Sequence, residues 1–567
     1  MISAELNNPS SVKVIGSGLE IIRVRALLNK YSKDWQVSNH GADCLVFDLA
    51  ALVNLPESAI SSLDCSPDLV GAIAQERASI AQHLAAVSNI PALLSGEGRV
   101  DREIQLASTL KPYQSAAVLA ITQPHLRGAC LFDEQGTGKT LMAISAFATM
   151  RQEGGVDAAV VIAPKTLLSV WKKEFKTFTG TEFTVVEVTG TPQARLSLIY
   201  QKGDVHLISY ESNVSDLVLT ESLFSGRNTM LIVDESHLAK NPGAKRTQAL
   251  TSLRNFATKA LILCGTPAPN HAIDLVSQFN LADGGITFQG FHGKKGDENL
   301  FNEIANRIES NGPLIRRTKD EVLSDLADKN FEIVLCDLTG RQKNLFDDAK
   351  SELVLFLQRL DQSTFKRNLA TYFQKRAALV QISISPALIG DWDFDSGKYQ
   401  KLTEIVDQTL ATQDGSKLII WASYTKAIDH AASIVAKWNP VILDGRSGDT
   451  SNRQEIIRRF QEDPECRILI GNPAAAGAGI TLTAASTAIY LNAPTQAAQY
   501  MQSIDRNHRI GQAAKVVNYI MLVSKGTLDL TDTQRLSAKQ EAQSSLLGDV
   551  EIVNKQLRDA ILELQNV

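Results

Sequence analysis

Twice along this 567-residue chain, apolar runs of strand length recur with a helix-like stretch after each, and no other feature limits the possible folds as much. The first series occupies residues 130–132, 159–163, 206–209, 230–233 and 260–264, and the second 418–421, 441–443, 468–470, 488–491 and 516–521. Runs without polar alternation must be covered on both faces, so each series predicts a parallel sheet sandwiched by helices. One hydrophobic core serves at most about 250–300 residues, which also calls for more than one unit. The expected division is an accessory α/β region over 1–105, a first lobe over 106–285 and a mainly helical insert or linker over 286–395. A second lobe over 396–540 and a C-terminal helix over 541–567 complete it. In the accessory region, strands are expected at 12–15 and 44–48 and a helix at 19–30.

A net charge of −5 rules out a global basic field, so any nucleic-acid site must be local. The apolar runs fall far short of the roughly 20 residues of a membrane span. The N-terminal ten residues lack the basic start and apolar core of a secretory signal. A cytoplasmic protein with no membrane partner is expected. Cys44, Cys65, Cys130, Cys264, Cys336 and Cys466 are scattered with no C-x-x-C pair, which argues against a zinc module and predicts reduced thiols.

The most specific local signal is Leu131-Phe132-Asp133-Glu134-Gln135-Gly136-Thr137-Gly138-Lys139-Thr140, a strand end, a G-x-G-K-T turn and then a helix. In such a loop Gly136, Thr137 and Gly138 bring backbone N–H groups to phosphate oxygens at a helix N-terminus. Lys139 is suited to the β and γ phosphates of ATP, and Thr140 to Mg²⁺. Asp133 stands where the strict loop pattern has glycine.

Asp234 and Glu235 follow the apolar run 231–233, at the end of a buried strand where parallel sheets present their ligand-binding edge. Asp234 is the candidate Mg²⁺ ligand, and Glu235 the candidate base for the attacking water. His237 is read either as packing or as coupling the nucleotide to the second lobe. Gln114, after Lys111-Pro112-Tyr113, either pairs with adenine or opens a helix. Arg506 and Arg509 are three apart and share a helix face. They either face a γ-phosphate, where arginines stabilise phosphoryl transfer, or form surface ion pairs.

In their order these elements resemble the Swi/Snf-type DNA-dependent ATPases of helicase superfamily two, over about residues 106–527. The resemblance is carried also by Ala163-Pro164-Lys165-Thr166-Leu167-Leu168 with Trp171 and Phe175, by Ser209-Tyr210-Glu211 and by Gly265-Thr266-Pro267. Leu314-Ile315-Arg316-Arg317-Thr318-Lys319, Ser396-Gly397-Lys398-Tyr399, Asp444-Gly445, Gly477-Ala478-Gly479-Ile480-Thr481-Leu482-Thr483 and Arg506 through Gln512 continue it. Departures are Ala327 in place of a proline and Asn472-Pro473 in place of a hydroxyl pair.

The resemblance implies two RecA-like lobes and a compact prokaryotic or phage-like member. The expected activity is an ATP- and Mg²⁺-dependent translocase on double-stranded DNA. Lys139, Thr140, Asp234 and Glu235 would line one wall of the nucleotide cleft, and Gly479, Arg506 and Arg509 the other. His237, Gly265 and Thr266 would couple hydrolysis to lobe movement. Groups near Lys165, Thr166, Ser209, Tyr210, Ser423, Asp444 and Gly445 would hold phosphates of one strand. Lys366, Arg367, Lys375 and Arg376 either touch the other strand or form a solvated face. A protein partner is expected at residues 1–105 or at the C-terminal helix. The rival functions are a strand-separating helicase, the motor of a restriction or defence system, and a non-hydrolysing scaffold.

Overall fold

The computed structural model describes all residues except 1, 9–10, 32–36, 41–42, 54, 99–102, 107–108, 266, 268–271, 295–296, 298, 324–325, 393–395, 413–415, 449, 475–479, 495, 510, and 545–567 apart from Leu564. Five strands open the chain: β1 (Ser3–Asn8), β2 (Ser11–Ile15), β3 (Val37–His40), β4 (Cys44–Asp48) and β5 (Asp64–Cys65). They form a mixed sheet ordered β3-β4-β2-β1-β5. The accessory region therefore has a fuller sheet than the two expected strands. The helix Pro67–Ser88 leaves this unit and enters the next. Its Leu69 and Ile73 belong to the accessory core, whereas Ala86 and Val87 belong to the core of the first lobe.

The first lobe contains β6 (Gly128–Leu131), β7 (Ala158–Ala163), β8 (Val185–Val188), β9 (Val205–Ser209), β10 (Thr229–Val233), β11 (Lys259–Leu263) and β12 (Leu314–Ile315). All pair in parallel in the order β12-β6-β11-β10-β7-β9-β8. Side chains alternate across a strand. Ala159, Val161 and Ala163 thus enter one core and Val160 and Ile162 the other, so both faces are covered as the unbroken apolar runs require.

The second lobe repeats the plan with β13 (Asp328–Cys336), β14 (Lys417–Trp421), β15 (Val441–Leu443), β16 (Ile468–Gly471), β17 (Ala485–Tyr490) and β18 (Val516–Ser524). Its parallel order is β13-β18-β17-β14-β16-β15. Residues 286–395 do contain helices, at Leu300–Asn311, Gly340–Gln358, Gln362–Arg367 and Leu369–Ile384. As a boundary the helical insert needs correction. β12 completes the first sheet and β13 the second, so the chain crosses between lobes within 316–327. β13 escaped the sequence reading because one flank is a mostly exposed edge, where burial no longer enforces a continuous apolar run. The last described helix, Leu528–Ser544, reaches only the start of the expected C-terminal helix.

Lys398 is fully buried in the second lobe, bonded to the Leu491 carbonyl at 2.7 Å and paired with Asp529 at 2.6 Å. Ser383 Oγ and Ser524 N also donate to Asp529. Lys398→Met is expected to strand that carboxylate. Removing one partner of a buried pair costs about 3–5 kcal/mol, which is to be read from denaturant unfolding followed by tryptophan fluorescence.

Candidate active site

Three strand ends meet at the C-terminal edge of the first sheet, and their order explains which side chains touch. The phosphate loop leaves β6, Asp234 leaves β10, and β11 lies between them. Cys264 and Gly265 at the end of β11 are therefore wedged between loop and acids. A Cβ on Gly265 would meet Gln135 Cγ at 2.3 Å.

Gly136 and Gly138 have φ of +85° and +88°. Those left-handed angles, and the 2.3 Å from a Cβ at Gly138 to Gln114 Nε2, admit only glycine. Lys139 opens the helix Lys139–Gln152, and its ammonium donates to the carbonyls of Asp133 and Glu134 at 2.8 and 3.0 Å. Asp133 anchors the loop. Its buried carboxylate is ion-paired with Arg317, whose Nη1 donates to the Tyr113 carbonyl at 2.5 Å. The aspartate that breaks the glycine pattern thus ties the loop to the segment that crosses between lobes.

Asp234 is held from three sides. Trp171 Nε1 donates to Oδ2 at 2.9 Å, the Glu235 amide donates to Oδ1 at 2.9 Å, and the Tyr210 hydroxyl donates to its carbonyl at 2.8 Å. Burial, with the Glu235 charge adding to it, pushes the Asp234 carboxyl up to about 6. Burial acts upward on Glu235 as well, but His237, Lys139 and Arg506 outweigh it and hold that carboxyl below its usual range. Glu235 has φ 52° and ψ 50°. A left-handed backbone at a non-glycine residue costs about 1–3 kcal/mol, a strain concentrated at functional sites. His237 Nδ1 lies 3.3 Å from Glu235 Oε2 and 3.5 Å from Cys264 Sγ.

The second lobe supplies the opposing wall. Arg506 is 4% exposed, and its Nε and Nη2 are buried without hydrogen-bond partners while its charge acts on Glu235. Arg509 donates to Thr481 Oγ1 at 2.9 Å, and its Cβ lies 3.3 Å from where a Gly136 side chain would begin. Glu174, half-buried beside Thr140, faces Arg509 and Asp234, and partial burial pushes its carboxyl up.

The SNF2-related domain matches residues 93–385, more than half of the chain, and the helicase conserved C-terminal domain matches residues 397–511. The chain belongs to the SNF2-related family. It is 26% identical to the TATA-binding protein-associated factor mot1 of Aspergillus fumigatus over 500 residues, 75% of this chain and 26% of that one. It is 27% identical to an uncharacterized ATP-dependent helicase of Mycoplasma pneumoniae over 81% of this chain and 44% of that one. A third relative is the SWI/SNF-related matrix-associated actin-dependent regulator of chromatin subfamily A containing DEAD/H box 1 of Bos taurus, 25% identical over 78% and 50%. The chain spans between a quarter and a half of these relatives' lengths.

Several candidate residues of this SNF2-related chain are engaged by the fold itself. Of its two readings, Gln114 shows the helix opening. Nε2 donates to the Thr137 carbonyl at 2.9 Å and Oε1 accepts from the Lys111 amide at 2.9 Å, so it caps a helix and buttresses the loop. Tyr210 and Ser209 are buried, the first bonded behind Asp234 and the second capping its own helix through Ser212 N. The Asp444 carboxylate is occupied by Arg446 and shapes the turn that exposes Gly445. Lys165 and Thr166 are exposed and Ser423 is half-buried. Lys375 and Arg376 are paired with Glu352 and Asp532. The Lys366 side chain, Thr266 and Gly479 lie outside the described residues. No described helix is long and apolar enough to cross a membrane.

The fit for a nucleotide and Mg²⁺ rests on this geometry. Glycines clear a cradle, Lys139 and the orphaned Arg506 donors await an anion, and Asp234 with Thr140 supplies hard oxygen ligands suited to Mg²⁺. A carboxylate takes the cation only when ionised. As pH falls through about 6, protonated Asp234 accumulates, and Mg²⁺ held there would be lost. Mg²⁺-dependent kcat/KM is expected to fall about tenfold per pH unit below that point, with the acid limb moving to lower pH when Mg²⁺ is raised. Profiles at two Mg²⁺ concentrations test this.

Proposed function

We propose that this chain hydrolyses ATP with Mg²⁺ and uses the lobe movement to travel along double-stranded DNA. The observation that carries the reading is Arg506, a buried guanidinium of the second lobe with unmatched donors whose field reaches Glu235 of the first. Surface ion pairing, the other reading of the Arg506–Arg509 pair, does not account for buried, partnerless donors.

Lys139 and the loop amides would bind the β and γ phosphates, and Asp234 with Thr140 would hold Mg²⁺, which supplies Lewis-acid stabilisation of phosphate charge. Glu235 would orient the attacking water and take its proton. Arg509 and Arg506 would neutralise charge that develops at the transferred phosphoryl group. Because these arginines belong to the other lobe, their phosphate contacts would favour closure before hydrolysis and release it afterwards.

Duplex DNA as the track is supported by family membership and by relatives named as a TATA-binding protein-associated factor and a regulator of chromatin. Exposed Lys165, Thr166 and Gly445, with half-buried Ser423, are the remaining candidates for phosphate contact. Such contacts position without reading sequence. The relevant assay compares turnover with no nucleic acid, single-stranded DNA, duplex DNA and RNA, beside triplex displacement and strand displacement. Stimulation by duplex with triplex but not strand displacement is the expected result.

Glu235→Gln should leave ATP and DNA binding in place and lower turnover by roughly two or more orders of magnitude. Near-normal turnover in that variant refutes the assigned base.

Arg509→Ala is expected to leave both lobes folded and to lower DNA-stimulated turnover by about 10³-fold. Arg509→Lys should rescue little, since an ammonium lacks the planar fork. Full DNA-stimulated activity in Arg509→Ala would transfer the role to Arg506.

A further inference from the structure

Cys264, His237 and Glu235 come from two strand ends, and their ligand atoms all lie within 4.8 Å of one another. We infer that these three side chains form a binding site for a thiophilic divalent cation of the Zn²⁺ class, and that its occupation shuts off hydrolysis. The binding half stands on geometry alone; the inhibitory half rests on Glu235 being the catalytic base.

Two of the three ligand–ligand edges match the ion, and the third, from Cys264 Sγ to the Glu235 carboxylate, lies within 4.8 Å. Zn–S bonds of about 2.3 Å and Zn–N or Zn–O bonds of about 2.0–2.1 Å at tetrahedral angles require edges of about 3.5 Å from S to N and about 3.3 Å from N to O. His237 Nδ1 lies 3.5 Å from Cys264 Sγ and 3.3 Å from Glu235 Oε2. The donors are a thiol, an imidazole and a single carboxylate, a soft set that suits Zn²⁺, Cd²⁺ or Co²⁺ and does not suit Mg²⁺. Glu235 is 9% exposed, and its Oε2 has no hydrogen-bond partner although it points at His237. A buried carboxylate oxygen in that condition is held by charge alone and is ready for a ligand bond.

Cys264 and the Glu235 Oε2 atom are closed to solvent, whereas the His237 side chain keeps 19% of its surface open, so a cation enters past the imidazole. Three protein ligands leave a fourth position for water. As the metal–ligand bonds form, Cys264 releases its thiol proton and His237 the Nδ1 proton that faces Glu235, both to solvent. A cation there takes up the carboxylate needed to receive the proton of the attacking water. It also ties His237 to the end of β11, which lies between the phosphate loop and the acids. The absence of any C-x-x-C pair does not count against such a site, because its ligands converge only in the folded sheet.

The test uses the full chain, freed of metal and without nucleotide, titrated with Co²⁺ as a spectroscopic probe and with Zn²⁺ in equilibrium dialysis. A Co²⁺–thiolate charge-transfer band and one tightly held Zn²⁺ per chain are expected. Cys264→Ser and Cys264→Ala should lose the band and weaken Zn²⁺ by at least about 100-fold, beyond the 10–100-fold that loss of an outer-shell partner costs. A Cys44→Ser/Cys65→Ser double variant should keep both. DNA-stimulated ATPase of the parent, at saturating Mg²⁺, should fall at least about tenfold with Zn²⁺ and recover with chelator, while both Cys264 variants stay active in the same Zn²⁺. Absence of the band, or equal inhibition of parent and Cys264 variants, overturns the site while leaving the proposed ATPase standing. Zn²⁺ held through Cys264 without inhibition overturns the inhibitory half and the assignment of Glu235 as base together.

Discussion

An ammonium group is expensive to bury unless every donor finds an acceptor, and Lys319, 1% exposed, is buried where the two lobes meet. Its Nζ is ion-paired with Asp505 and donates to the His508 carbonyl at 2.8 Å, both in the segment that carries Arg506 and Arg509. Its own amide donates to Glu134 Oε2 of the phosphate loop at 2.8 Å. One residue therefore touches both walls of the cleft. Two steps back, Arg317 grips Asp133, and Arg316 donates to the Phe132 carbonyl at 3.0 Å. His508 in turn bonds the Ala327 carbonyl at 2.7 Å. Arg316, Arg317 and Lys319 fix the crossing segment to the nucleotide loop, and Lys319 and Ala327 fix it to the arginine segment. The relative placement of the lobes follows from it.

Within the first lobe, strand order does comparable work. Because β11 separates β6 from β10, Cys264 and Gly265 at its end stand between the loop and the acids. Glu235 occupies a strained backbone angle there, and the rigid parallel sheet behind it supplies the packing that keeps it so. Asp234 is placed by groups outside its own strand, above all the Trp171 indole from the helix Leu168–Thr179. The site is thus assembled from several strand exits and one helix face, each set by a core whose rim residues, Trp171, Tyr210 and Cys264, reach the acids.

The parallel sheets, the phosphate loop, the acid pair and the order of the elements were legible from the chain because each depends on short-range pattern. A run such as 230–233 has no polar face and so can only be an interior strand, and G-x-G-K-T needs only a local turn. Buried strands β7, β10, β14 and β15 stand within one residue of their expected bounds. β12 and β13 were not legible, the first having two residues and the second presenting a mostly exposed flank. Tertiary structure alone decided where Gln114, Ser209, Tyr210 and Asp444 spend their polar atoms. A side chain that looks free in sequence is claimed by whichever backbone group the fold brings to it first. It alone turned Asp133 from a broken glycine pattern into an anchor, and it alone set Lys319 against Asp505, 186 positions apart. Sequence periodicity reports which face of an element is buried. It carries no information about which buried groups from distant segments meet, and the cleft is made of those meetings.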